Sequence, residues 1–171
     1  MKPPLVVYDL DDCLFYWSKH FVAWLFEHKL PEIDTHDTKT WFTSKHIYEF
    51  NHSDHFYNRE PMPLHTVFVN NKHFTNWKVL SACGSDLKTN VMSLLGLNKW
   101  DLAHITCVND SVSKYEHLTE WSKEYNVLMI DDKLSTINWC NENNIHAVLS
   151  TNHNQVIRRI NEHFSYKVKI V

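Results

Sequence analysis

Five short apolar runs recur along this 171-residue chain, and stretches of helical periodicity separate most of them. They are LVVY (5–8), WKVLS (77–81), HITCV (104–108), NVLMI (126–130) and HAVLS (146–150). Each is short, partly β-branched or aromatic, and bounded by polar residues, which is the pattern of a buried strand. Between them, Leu87, Val91, Leu94 and Leu95 share one helical face, which Gly96 is placed to end. Ser113 and Glu116 match a capping box ahead of Leu118 and Trp121. Leu134, Ile137 and Cys140 form a third stripe, and Val156, Ile157, Ile160 and Phe164 a last one. Strands alternating with helices predict an α/β protein with a doubly wound, Rossmann-like parallel sheet. Ligands of such sheets sit at the carboxyl ends of the strands.

One stretch breaks the alternation. Roughly seventy residues separate the first run from the second. Trp17, Phe21, Trp24, Leu25 and His28 predict a helix, and Trp41, Phe42, Ile47, Tyr48 and Phe50 a second, aromatic-rich unit. The segment 61–74 then reads as a helix returning to the sheet, with Pro63 near its start. The expected organisation is therefore a core of residues 1–16 and 61–171, with 17–60 inserted as a small helical cap over the strand ends. A cap there excludes water from a site beneath it.

Composition removes several classes of function. Gly84 and Gly96 are the only glycines, so GxGxxG and Walker-type phosphate loops are absent. Cys13, Cys83, Cys107 and Cys140 form no CxxC pair, which argues against a zinc site or a disulfide framework and fits a cytoplasmic protein. The thirteen histidines come closest in NHSDHF, where a polar loop or helix face explains His52 and His55. The net charge of −3 gives no overall attraction to nucleic acid, and no apolar run is long enough for a membrane helix.

The chemistry gathers where the first strand ends. VVYDLDDCLF places Asp9, Asp11 and Asp12 directly after apolar strand residues. Carboxylates so close repel one another and resist burial. Their two-residue spacing aims Asp9 and Asp11 to one side of an extended chain. A second acidic pair, Asp131 and Asp132, ends NVLMIDD in the same way. Two acidic strand ends converging on one point call for a cation, and oxygen ligands select a hard one such as Mg²⁺. Ser81 ends WKVLS. Lys114 lies in the first turn of the helix after HITCV, where the helix dipole disfavours a cation, so it reads as recruited to an anion.

In this order the motifs resemble those of haloacid-dehalogenase (HAD) superfamily phosphatases. VVYDLDDCL is similar to the family's first motif, VLSACGS to the second, Lys114 to the third and VLMIDD to the fourth. The resemblance implies a HAD-like core in which Asp9 is the nucleophile and forms an aspartyl-phosphate. Asp11 would protonate the leaving oxygen and then activate water. Asp9, the backbone carbonyl of Asp11, and Asp132 would hold Mg²⁺, with Asp131 assisting or orienting Lys114. Ser81, Lys114 and backbone N–H groups near Leu10 and Ala82 would bind the phosphoryl oxygens. An aspartate two residues after the nucleophile marks the family's phosphatases rather than its dehalogenases. Cys13 departs from the Thr or Val usual at its position, and packing is its preferred explanation.

The implied substrate is a small phosphate ester. FYNREPMPLHTVFV (56–69) resembles the return from the cap in 5′(3′)-deoxyribonucleotidases, whose cap aromatics stack on the base. Trp17, Phe21, Trp41 and Phe42 are the corresponding candidates here. The segment 114–139 instead resembles the phosphatase domain of polynucleotide kinase/phosphatases, which implies 3′-phosphates on nucleic-acid ends. Lys72, Lys78, Lys88 and Lys99 are scattered rather than clustered, so the mononucleotide ranks first. A catalytically silent HAD-fold binding protein is the alternative of another class.

Overall fold

The structure is a computed structural model and describes residues 1–164, so 165–171 of the expected core range lie outside the described residues. Five strands form one parallel sheet: β1 (Pro4–Tyr8), β2 (Trp77–Ser81), β3 (Ile105–Cys107), β4 (Asn126–Asp131) and β5 (His146–Leu149). Their spatial order is β3-β2-β1-β4-β5. The helices are α1 (Ser18–His28), α2 (Ser44–Asn51), α3 (Pro63–Asn71), α4 (Lys88–Leu94), α5 (Ser111–Glu124), α6 (Leu134–Glu142) and α7 (His153–Phe164), with short 3₁₀ turns between some of them. None of the described helices is long and apolar enough to cross a membrane.

The strand alternation divides the core into two layers. Val6, Tyr8, Val79, Leu128 and Ile130 pack on one face with Leu64, Val67 and Phe68 of α3, Val91 of α4, and Val156, Ile157 and Ile160 of α7. Leu5, Val7, Leu80, Val127 and Met129 pack on the other with Leu118 of α5 and Ile137 and Cys140 of α6. Both faces are covered, as a parallel sheet requires. Successive strands move outward from β1 in one direction as far as β3, then β4 returns to the other side of β1. The crevice of such a sheet opens between β1 and β4, where the order reverses.

Two helix starts and ends show how local chemistry sets boundaries. α5 begins two residues before the expected Ser113 cap, because Asp110 accepts the Ser113 N–H at 2.8 Å. The carboxylate of Asp110 thereby caps the helix and complements its dipole. At the end of α4, Gly96 takes φ +65°, a left-handed conformation open to it at no steric cost.

The residues between β1 and α3 build a separate apolar cluster: Phe21, Trp24, Leu25, Ile33 and Phe50, with Trp17, Trp41 and Ile47 against it. Its entry and exit strands run side by side. Tyr16 N–H donates to the Glu60 carbonyl at 3.0 Å and Met62 N–H to that of Leu14 at 2.8 Å. Phe15 and Pro61 form an antiparallel bridge there.

Candidate active site

Asp9 continues β1 by one residue, its N–H donating to the Ile130 carbonyl of β4 at 2.9 Å. That bond fixes the Asp9 side chain beside the end of β4. Asp131 is the last residue of β4 and has no exposed surface, and Asp9 is only 5% exposed. Oxygens of Asp9, Asp131 and Asp132 lie within 4.8 Å of one another.

Lys114 crosses from α5 into this cluster. Its Nζ donates to Asp9 Oδ1 at 2.8 Å and to Asp131 Oδ2 at 2.7 Å, and the residue is buried. Burial alone would push the lysine down, but Asp9 and Asp131 outweigh it and hold the ammonium above its ordinary value. Asp131 Oδ1 accepts the Lys133 N–H at 2.9 Å. Both Asp131 oxygens are thus engaged, one of them in orienting Lys114.

Three carboxylates cluster here and this one ammonium pairs with two of them, and the electrostatics record the deficit. Burial pushes Asp9 well above the usual carboxylate range; Lys114 pulls it down, while Asp131 and Asp11 push it further up. Burial likewise raises Asp132 to about 6. Asp132 Oδ1 is buried without a hydrogen-bond partner. An unpaired carboxylate oxygen beside an uncompensated pair, in an all-oxygen donor set, fits a hard divalent cation such as Mg²⁺. Asp9 and Asp132 are the side chains with oxygen free to hold it.

Asp11 does not join this cluster. Its Oδ1 accepts from Arg59 Nη1 at 2.7 Å, and a quarter of its side chain stays exposed. Asp12 turns away through a left-handed backbone, φ +56°, and accepts the N–H groups of Trp17 at 2.8 Å and Ser18 at 3.1 Å. It therefore holds the start of α1, a structural task that accounts for the third carboxylate. The Leu10 carbonyl accepts from Leu14 and Phe15 and closes the tight loop carrying all three acids.

Ser81 ends β2 with its hydroxyl buried and without a hydrogen bond, and Ala82 packs against the apolar layer that includes Leu80 and Leu118. Cys13 is buried, its thiol pushed up by burial and then by Asp9 and Asp131. A thiol held protonated is a packing residue and a poor target for oxidation.

The four cap aromatics differ in what they offer. Phe21 has no exposed surface and sits in the centre of the cap's cluster, so it presents no ring face to a ligand. Its expected role in stacking is corrected to a core role. Trp17 stacks on Phe21 at 4.6 Å and donates its indole N–H to Asn51. Trp41 donates its own to the Asp34 carbonyl, and Phe42 is 46% exposed.

No family model matches the chain, and no curated protein does. Among solved structures it is similar to a predicted HAD-like family hydrolase from Porphyromonas gingivalis. The TM-score is 0.52 at 12% identity, covering 94% of this chain and 98% of that one. The fold is HAD-like. A second similarity, to DsGPDH of Dunaliella salina, has TM-score 0.38 at 12% identity over 85% of this chain and 23% of that one. In this HAD-like fold the acids stand at the strand-order reversal.

Two residues of the neighbourhood carry no signal in the sequence reading. Arg59 lies in the return segment NREP, where a charged residue reads as solvated. Asn51 is buried at the end of α2 and donates to the Cys83 carbonyl at 3.0 Å, tying the cap to the loop after β2.

Proposed function

We propose that this chain is a Mg²⁺-dependent phosphomonoester hydrolase that acts through an aspartyl-phosphate, with nucleoside monophosphates as its substrates. The observation that carries the reading is the buried cluster of Asp9, Asp131 and Asp132 around Lys114, set at the switch point of a HAD-like sheet. The hydrolase named among its structural neighbours is consistent with it.

Asp9 attacks phosphorus as the bond to the ester oxygen breaks, and Asp11 gives that oxygen its proton. Asp11 then takes a proton from the water that attacks the same phosphorus, and the Asp9–phosphorus bond breaks. Lys114, the Ser81 hydroxyl and backbone N–H groups near Leu10 and Ala82 meet the charge on the phosphoryl oxygens. Mg²⁺, held by Asp9, Asp132 and the Asp11 carbonyl, would neutralise the acids and the transferring group. Asp131 keeps Lys114 in place.

Lys78, one of the lysines a nucleic-acid groove would need, bonds the Ala103 carbonyl and lies over Trp121 instead. That leaves one fewer lysine for a strand-binding groove, in keeping with the mononucleotide reading. The test is phosphate release with Mg²⁺ from ribo- and deoxyribonucleoside 5′- and 3′-monophosphates and from oligonucleotides with terminal phosphates. Asp9→Asn should reduce release at least about a thousandfold while circular dichroism is unchanged. Retained activity in that variant would overturn the nucleophile assignment. Preference for oligonucleotide ends would replace the mononucleotide reading, and magnesium binding without turnover would leave a binding protein.

A further inference from the structure

We propose that Arg59 is a positioning residue that fixes the Asp11 carboxylate for proton transfer; this rests on the phosphatase reading above. Arg59 leaves the cap on the return segment and points its side chain inward, with no exposed surface. Three contacts immobilise its guanidinium. Nη1 donates to Asp11 Oδ1 at 2.7 Å, Nε donates to the Phe56 carbonyl at 3.1 Å, and the guanidinium carbon lies 4.4 Å from the centre of the buried Phe56 ring.

The arrangement is expensive for a purely structural contact. Nη2 is buried with no hydrogen bond, and a buried cation is desolvated for the sake of one partly exposed carboxylate. An apolar side chain of similar volume is often as good or better for stability in such a place. What the guanidinium adds is geometry. Arginine only donates hydrogen bonds, so Asp11 Oδ1 is held as an acceptor. The transferable proton is then confined to Oδ2, on a carboxylate anchored through Oδ1 to an immobilised guanidinium. The backbone contributes to the same alignment. Asp11 bridges to Phe15, and Phe15 bridges to Pro61, two residues after Arg59. The general acid and its clamp therefore belong to one short ladder at the root of the cap. A displacement of about 1 Å in a catalytic group can cost roughly a hundredfold in rate.

The test compares leaving groups. An alkyl leaving oxygen needs the Asp11 proton, whereas p-nitrophenolate leaves well without it. Wild type, Arg59→Ala and Arg59→Lys are measured with Mg²⁺ on the alkyl phosphate that the wild type turns over fastest. The rapid burst of p-nitrophenolate from p-nitrophenyl phosphate is followed in parallel, since it reports the first half-reaction alone. Arg59→Ala should lose about ten- to a hundredfold in kcat on the alkyl ester and less than about threefold in the burst rate. Arg59→Lys should recover part of the loss. In an Asp11→Asn background, Arg59→Ala should cost nothing further, because a positioning residue has no effect once its target is gone. Equal losses on both substrates, or the same loss in the Asp11→Asn background, would overturn the proposal. If Arg59→Ala does not fold, Arg59→Lys carries both comparisons with the same criteria. Wild-type protein inactive on every phosphate ester would overturn the hydrolase reading and this inference together, whereas an active wild type with unselective Arg59 variants overturns this inference alone.

Discussion

Asp9, Asp131 and Asp132 are held together at a cost that only charge compensation offsets, and pH exposes that cost. In the metal-free protein, burial raises Asp132 from an ordinary 3.8 to about 6, and raises Asp9 as well. A carboxyl raised on folding favours the folded state most when protonated. Its contribution is complete below about 3.8 and is lost as pH climbs through about 6. A divalent cation needs the ionised forms, so its binding releases protons and strengthens over the same interval. Magnesium should therefore raise the melting temperature more at about pH 7 than at about pH 5. Titration calorimetry should show tighter binding and less proton release at the higher pH. A pH-independent magnesium effect would mean that these acids are not the ligands. At this scale the sequence was informative about the acids and Lys114 and silent about Arg59 and Asn51. Strand-end carboxylates stand out because burial of like charges is rare, while Arg59 and Asn51 look like the surface residues that loops and helix ends usually carry.

The elements carry the site by attaching the cap at several points. Asp12 caps α1, and Asn51 at the end of α2 joins the Trp17 indole at 2.8 Å to the Cys83 carbonyl at 3.0 Å. His52 Nε2 meets Asp86 Oδ2 at 2.7 Å on the more exposed side. Partial burial works against the charged imidazole, but Asp86 and the Tyr48 carbonyl raise it above its ordinary 6.5. The ion pair is thus complete only below that raised value and above the lowered one of Asp86. The buried link has the larger effect. Asn51→Ala leaves an indole N–H and a carbonyl unpaired, which should cost about 1–3 kcal/mol. Amide exchange should quicken in residues 17–60 and stay unchanged in β1 and β4. Uniform acceleration across the chain would show that the link stabilises the whole fold rather than the cap's seating. Strand positions were legible because fully buried parallel strands are continuous apolar runs. β2 matches its run to the residue, while β4 extends one further, to Asp131. Helix starts were less so, since α5 is capped by an aspartate three residues before the expected serine.

At the largest scale the molecule is one sheet covered by helices on both faces, its order reversing beside β1, with a second hydrophobic centre tied through Asn51 to the loop after β2. The aromatic richness of that second centre was visible in the sequence, but one residue type serves two purposes there. Solvent exposure separates them: Phe21 has none and Phe42 has 46%. Phe21 packs against Trp17, Trp24 and Phe50, and Phe42 lies 5.3 Å from it on the outside of the cluster. Phe21→Ala should therefore act on stability, lowering it by about 3–5 kcal/mol as a large buried ring is lost. Phe42→Ala should leave the melting temperature nearly unchanged. If its ring stacks on a nucleobase, kcat/KM for purine and pyrimidine monophosphates should fall unequally, each by about two- to tenfold for one lost aromatic contact. Hydrolysis of p-nitrophenyl phosphate, which carries no nucleobase, then serves as the internal reference for the chemistry. Parallel losses on all substrates would make Phe42 part of cap closure, and an unaltered ranking would place base selection elsewhere on the cap.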